Sequence, residues 1–306
     1  MRIHLLGTAA GGGVPQWNCR CAVCREARSG SGRVQPRTQS SVAISADGRS
    51  WFLLNASPDI RGQIEAFPPL HPSSETTRHS PIEAVLLTNA DLDHTLGLLL
   101  LREGQKLHIH ATPNVRTALT EGMSLSPTLN FFCGTEWIEP PSKPQPLPKP
   151  DRSTSGLQYQ AIPISGKPPR FFKTKTSSTT GNVVGYQITD ERTGGTLLFL
   201  PDVAVLNEEL LRLLPECDAL LFDGTFWSET EMRDQGLGSL SAADMGHIPI
   251  SGANGSLSTL AKLPVKHKIY THINNTNPVL IDHSPECAAI KAAACVIGRD
   301  GMQIEI

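Results

Sequence analysis

Four apolar runs of strand length each lead into side chains that can bind a metal. AVLLT (84–88) runs into Asn89, Asp91, Asp93 and His94, TLLFL (196–200) into Asp202, ALLF (219–222) into Asp223, and KIYT (268–271) into His272. Short uninterrupted apolar runs suit strands buried on both faces, as in parallel sheets. In α/β sheets, ligands collect at the carboxyl ends of strands, where neighbouring loops converge. One Asp after a strand is ordinarily a turn residue or helix cap. The same chemistry at four strand ends favours a binding role over four separate turns.

The other apolar runs fit the same pattern. IHLLG (3–7), SVAIS (41–45), WFLLN (51–55) and LHIHA (107–111) read as strands in the first half; LQYQAIPI (157–164), VVGYQI (183–188) and MQIEI (302–306) do so in the second. Helical periodicity falls between them at 58–67, 94–104, 115–123, 207–214 and 256–263. Strands and helices alternating through both halves predict an α/β protein. Residues 140–150, PPSKPQPLPKP, hold six prolines in eleven positions. Proline removes a backbone donor and fixes φ, so this stretch is expected to be an extended linker or surface loop. It separates two αβ halves, about 1–139 and 151–306, of a single domain spanning 1–306.

Composition narrows the function classes. A formal net charge of -2 provides no field for nucleic acid or an anionic membrane. The first residues, MRIHLLGTAAGGG, lack the apolar core of a signal peptide, and LGLLLL (96–101) is far short of the about 20 residues of a membrane span. A cytoplasmic location is expected, with no nucleic-acid or membrane partner.

There are 7 cysteines, an odd number, and three of them, Cys19, Cys21 and Cys24, lie within six residues. That spacing reads as metal binding and not as a disulfide framework. Three thiolates on a tight loop suit tetrahedral zinc, and a sulfur-rich site without an open position is structural. A fourth ligand must come from elsewhere. Cys133, Cys217, Cys287 and Cys295 sit in apolar or helical settings and read as ordinary buried cysteines.

Residues 88–94, Thr-Asn-Ala-Asp-Leu-Asp-His, resemble the His-x-His-x-Asp-His motif of the metallo-β-lactamase-like superfamily, with both leading histidines replaced by Asn89 and Asp91. The resemblance continues at Pro201-Asp202-Val203, the place of the metal-bridging aspartate, and at Thr271-His272, the place of the last histidine. Ser165 stands where a middle histidine is usual. The resemblance implies a four-layer αββα sandwich and a reaction centre with one surviving metal position. Asp93, His94 and His272 are its expected ligands, with Asp202 and Asp91 as further candidates. Two histidines and one or two carboxylates are similar to the facial arrangement that holds non-haem iron(II) with open positions; zinc at the same place stays an alternative. Asp223 either faces this centre as a catalytic group or orients His272.

Longer segments resemble one narrower family. LLGTAAGGGVPQWNCRCAVC, RTQSSVAIS, LLNASPDIRGQI, TNADLDHTLGLLLLREG, LFDGTFW, GHIPIS and THINNTNP span most of residues 3–285 and are similar to the PqqB family of pyrroloquinoline quinone (PQQ) biosynthesis. That resemblance implies an iron-dependent oxygenase that hydroxylates the tyrosine-derived ring of a crosslinked Glu–Tyr precursor. Its partners would be that precursor and dioxygen, with other pathway proteins and a homodimer as further expectations. A carrier of PQQ or its precursor towards the periplasm, and a metallohydrolase, are the alternatives. Related cyclic phosphodiesterases share the Cys-x-Cys-x-x-Cys loop and complete its zinc with a histidine three residues after the last active-site histidine. Here that position is Asn275, the candidate fourth ligand.

Other residues have two readings each. His247 in GHIPIS is either a substrate or supporting group or a turn histidine. Arg37 and Arg61 could grip substrate carboxylates or lie solvated. GTAAGGG lacks the Lys-Ser/Thr ending of a phosphate loop and reads as a flexible connection to the cysteines. His4, His108 and His110 lie on strands in non-ligand roles.

Overall fold

The computed structural model describes residues 1–73, 76–103, 105–172 and 180–306. Its chain forms two compact units, one of Met1–Gly7, Ser40–Thr196 and Gly301–Ile306, the other of Thr8–Gln39 and Leu197–Asp300. They do not divide at the proline-rich segment, which lies inside the first unit.

The first unit holds strands β1 (Arg2–Gly7), β2 (Ser41–Ser45), β3 (Trp51–Leu54), β4 (Ile82–Leu86), β5 (Leu107–His110), β6 (Thr135–Ile138), β7 (Gln145–Pro148), β8 (Thr154–Ile164) and β9 (Val183–Asp190). β1, β2 and β3 pair antiparallel, then β3, β4, β5 and β6 run parallel. β2 and β3 are buried along their whole length, as their continuous apolar runs require. β7, β8 and β9 form an antiparallel meander. The proline-rich stretch is therefore a correction to the linker reading, since part of it is β7. β7 pairs only with β8 and ends its sheet, and an edge strand tolerates prolines because its outer side needs no donors.

The second unit carries β10 (Thr196–Leu200), β11 (Ala219–Asp223), β12 (His267–Thr271) and β13 (Val296–Ile297), all parallel. The closing strand β14 (Gln303–Glu305) returns to the first unit and pairs antiparallel with β1. β10 and β11 are wholly buried, so Asp202, Asp223 and His272 emerge together at one end of a parallel sheet.

The helical expectations hold as short pieces. The 94–104 pattern resolves into Leu92–Thr95 and Gly97–Leu100, and its last residue, Gly104, lies outside the described residues. Gly97 is needed there: a Cβ would fall 2.3 Å from the Ser57 carbonyl oxygen and 2.7 Å from that of Ala56. The Gly97 N–H also donates to Ala56 O at 2.9 Å. This clamp fixes the His94 turn against the loop that follows β3. Among the described residues no helix is long and apolar enough to cross a membrane.

Candidate metal centres

The cysteine loop belongs to the second unit. The sulfurs of Cys19, Cys21 and Cys24 lie within 4.8 Å of one another. Cys21 caps the helix Ala22–Ser29, its Sγ accepting the Cys24 N–H at 3.4 Å, and Cys19 Sγ accepts the Cys21 N–H at the same distance. The Arg28 guanidinium donates to the carbonyls of Gln16, Trp17 and Cys19, closing the loop from outside. Buried Asn275 places its amide nitrogen 3.2 Å from Cys19 Sγ, 3.3 Å from Cys24 Sγ and 3.7 Å from Cys21 Sγ.

The ionisation of this cluster is uneven. Burial works to raise Cys19, but hydrogen bonds from the Cys21 N–H, the neighbouring thiols and Asn275 prevail and lower it. Burial outweighs the hydrogen bond from the Cys24 N–H and, together with the Cys19 and Cys24 thiols, pushes Cys21 up to about 12. Thiolates crowded on one loop repel one another, and a dication resolves that repulsion. The donors fit zinc. Amide nitrogen has no lone pair to give, so Asn275 would ligate through Oδ1 after a turn of its amide, two orientations that only hydrogen bonding distinguishes.

The second cluster stands at the carboxyl ends of β10, β11 and β12. Asp202, His247 and His272 each bring one donor atom to within 4.8 Å of the others. Asp202 Oδ1 is 3.8 Å from His272 Nδ1 and 4.0 Å from His247 Nδ1. The two imidazoles stack with centroids 5.5 Å apart and planes 28° from parallel. Behind them is Asp223, fully buried. Its Oδ2 accepts the Val203 N–H at 2.9 Å and faces His247 Nδ1 at 2.8 Å. Its Oδ1 accepts the Thr225 N–H at 3.0 Å and the Thr225 hydroxyl at 2.7 Å. Thr225 Oγ1 is in turn 2.9 Å from His272 Nδ1.

Burial alone would raise the Asp223 carboxyl, but the charge and hydrogen bond of His247, then His272 and the Val203 N–H, hold it below the usual carboxylate range. Burial alone would lower His247, and Asp223 with Asp202 raises it instead. Asp223 stays ionised with all its lone-pair directions used. It is therefore not placed to accept a proton from substrate; it orients the histidines, and Asp202 is the remaining carboxylate of the cluster.

The first unit supplies Asp93 and His94, on the turn after β4. His94 is fully buried, and its Nδ1 lies 3.1 Å from Thr88 Oγ1. Asn55 supports Thr88, accepting its N–H at 2.9 Å and donating to its hydroxyl at 3.0 Å. Asp93 Oδ2 is 3.7 Å from His94 Nε2. Asn89 Oδ1 accepts the Asp91 N–H at 2.9 Å, a turn contact, while Asp91 and Ser165 are exposed.

Other candidates fall into structural places. Arg37 is buried and donates to Thr8 Oγ1 at 2.9 Å and to Gly298 O, so it ties loops of the second unit together; Arg61 is exposed. His4 stacks on Phe67, and His110 meets the Tyr159 hydroxyl at 2.9 Å. The GTAAGGG connection is held more firmly than expected: Thr8, Ala9 and Ala10 are buried and bonded to Thr38 and Ile273. His247, read from the sequence as a substrate or supporting group or a turn histidine, joins the cluster of possible metal donors. It follows no strand; its turn passes through Gly246, in the left-handed region at φ 91°.

The β-lactamase superfamily domain model matches residues 50–273. Coenzyme PQQ synthesis protein B of Methylobacterium radiotolerans is 42% identical, with all of both chains covered. The crystal structure of zinc-bound PqqB from Methylobacterium extorquens matches with a TM-score of 0.90 and 40% identity over the whole of both chains. A diphosphatase of the PhnP family shares the fold, with a TM-score of 0.68 at 21% identity over 100% of this chain and 98% of that one. The chain belongs to the coenzyme PQQ synthesis protein B family, within the β-lactamase superfamily.

Proposed function

We propose that the protein acts in PQQ biosynthesis as a metal-dependent oxygenase that hydroxylates the tyrosine-derived ring of the Glu–Tyr precursor. One observation carries the proposal of a reactive metal: Asp202, His247 and His272 converge within 4.8 Å in front of a buried, ionised Asp223. Structural sites are usually closed by four strong donors, whereas mixed imidazole and carboxylate sites leave positions for substrate. The ligand set expected from the sequence pattern is Asp93, His94 and His272, with Asp202 and Asp91 as further candidates; zinc is expected at Cys19, Cys21 and Cys24, with Asn275 as the candidate fourth ligand. Iron(II), when bound, would supply the activation of dioxygen.

The side chains of the second unit then have distinct tasks. Asp223 holds His247 directly and His272 through Thr225, which fixes both rings. Asp202 is the base for a phenolic proton, provided that substrate brings it within about 3 Å. Insertion of one oxygen atom leaves the other to become water, which takes two electrons and two protons. The catechol that this insertion forms on the ring supplies both as it becomes a quinone, so no flavin or nicotinamide is required.

The test is anaerobic iron loading, addition of the precursor, then labelled dioxygen, read by mass spectrometry. The proposal expects one labelled oxygen in the ring and its loss in His94→Ala and His272→Ala. Tight quinone binding without incorporation under any metal would replace the enzyme with a carrier. Cleavage of a phosphoester without incorporation would replace the oxygenase with a hydrolase.

A further inference from the structure

A neutral imidazole carries one proton on either nitrogen, and only the bare nitrogen can bind a metal. The partner of the other nitrogen decides which is bare. In the second unit that decision can be followed atom by atom. Asp223 is surrounded by donors alone: the N–H groups of Val203 and Thr225, the Thr225 hydroxyl and His247 Nδ1. An ionised carboxylate offers about four lone-pair directions, and all four are taken. His247 must therefore present a proton on Nδ1.

Thr225 has one hydroxyl proton and four partners for its oxygen: Asp223 Oδ1 at 2.7 Å, the His272 carbonyl at 2.9 Å, His272 Nδ1 at 2.9 Å and His247 Nδ1 at 3.2 Å, the last already a donor to Asp223 and so no acceptor. The bond to the buried carboxylate is the shortest and is charge-assisted, which makes it about twice as strong as a neutral one. Once the proton points to Asp223, only a lone pair of Oγ1 faces His272. His272 Nδ1 then has to be the donor, and Nε2 is left bare. His272 is also held in the left-handed region at φ 55°, unusual for a residue with a side chain.

We propose that Asp223 and Thr225 form a positioning relay that sets the protonation pattern of two histidines from one carboxylate, His247 directly and His272 through the hydroxyl, before any metal arrives. Thr225 is thereby a positioning residue. The relay belongs to the metal-free side chains; its use in ligation rests on the function proposed above.

The experiment is nitrogen NMR of histidine-labelled protein stripped of metal, with His272→Gln and His247→Gln identifying the two signals. The wild type is expected to show His272 with Nδ1 protonated and Nε2 bare. Thr225→Ser should keep that pattern, and Thr225→Ala should give a mixture of both tautomers at an unchanged melting temperature to within a few degrees. A wild-type His272 protonated on Nε2, or a Thr225→Ala protein with the wild-type pattern, overturns the relay. Metal affinity by chelator competition separates the two readings. Loss of about 10- to 100-fold in Thr225→Ala with rescue in Thr225→Ser supports both. An altered tautomer with unchanged metal affinity upholds the relay and removes His272 from the proposed ligands.

Discussion

The two units solve the same local problem with different chemistry. Each has a histidine after a buried parallel strand, a threonine hydroxyl on its Nδ1, and a polar side chain behind the threonine. Each also holds a non-glycine residue in the left-handed region, Asn55 at φ 62° in one and His272 at φ 55° in the other. In the first unit the supporting group is the neutral amide of Asn55, whose Oδ1 accepts the Thr88 N–H. In the second it is the carboxylate of Asp223. A neutral amide is cheap to bury but leaves the Thr88 hydroxyl proton free to point either way. A buried charge is expensive alone, and once fully hydrogen-bonded it fixes the direction of every proton around it. Precision in the second unit thus comes with a larger penalty when one partner is lost.

The largest expected effect lies in the second unit, at its sulfur cluster. Cys21→Ser should lose zinc and lower the melting temperature, because metal binding there contributes directly to folding. Zinc-free protein whose mutant melts normally would contradict this. The next step down compares the supporting groups themselves. Asp223→Ala strands four donors that now meet a charge and should cost about 3–5 kcal/mol in denaturant unfolding. Asn55→Ala removes a neutral partner and should cost about 1–3 kcal/mol. Equal losses would break the comparison.

A smaller effect distinguishes the units by pH. Burial lowers His110 of the first unit from 6.5 to about 4. Below pH 6.5 the unfolded chain takes up this proton first, so the stability gained by a neutral His110 is present above that pH and is lost as pH falls towards 4. In the second unit burial outweighs the hydrogen bonds from Thr276 and the Trp227 N–H and raises Glu231 to about 7. Between pH 4.5 and 7 the folded state holds this proton more tightly, so its contribution is full at pH 4.5 and is lost as pH rises through 7. Hydrogen exchange followed from pH 4.5 to 6.5 should show opposing trends, with His110-side amides of β5 gaining protection and amides around Glu231 losing it. Glu231→Gln should flatten the second trend only.

The strand ends were legible because a strand buried on both faces is written as a continuous apolar run. TLLFL, ALLFD and SVAIS fall on β10, β11 and β2 with their expected bounds. β6 was not, because TEWI alternates over only four half-exposed residues, and β7 was hidden by prolines that an edge position permits. Asp202, Asp223 and His272 could be found because each follows such a run. His247 had two readings in the sequence, a substrate or supporting group or a turn histidine, because its loop has no periodic signal to decide between them. Thr88, Thr225 and Asn55 are common residue types whose importance lies in distances that only the folded chain defines. The three cysteines were legible from spacing alone; Asn275 was reached only through the family resemblance, and its distances to their sulfurs are defined by the folded chain.

The protein is expected to hold a pair of chemically distinct metal centres, one sulfur-bound and structural, the other bound by imidazole and carboxylate and reactive. Metal analysis of protein loaded anaerobically with zinc and iron, in the wild type, Cys21→Ser and His272→Ala, tests it most directly. Zinc and iron together are expected in the wild type, zinc alone in His272→Ala, and iron kept in whatever Cys21→Ser protein remains folded. Iron retained by folded His272→Ala, or zinc retained by Cys21→Ser at the wild-type level, would contradict it.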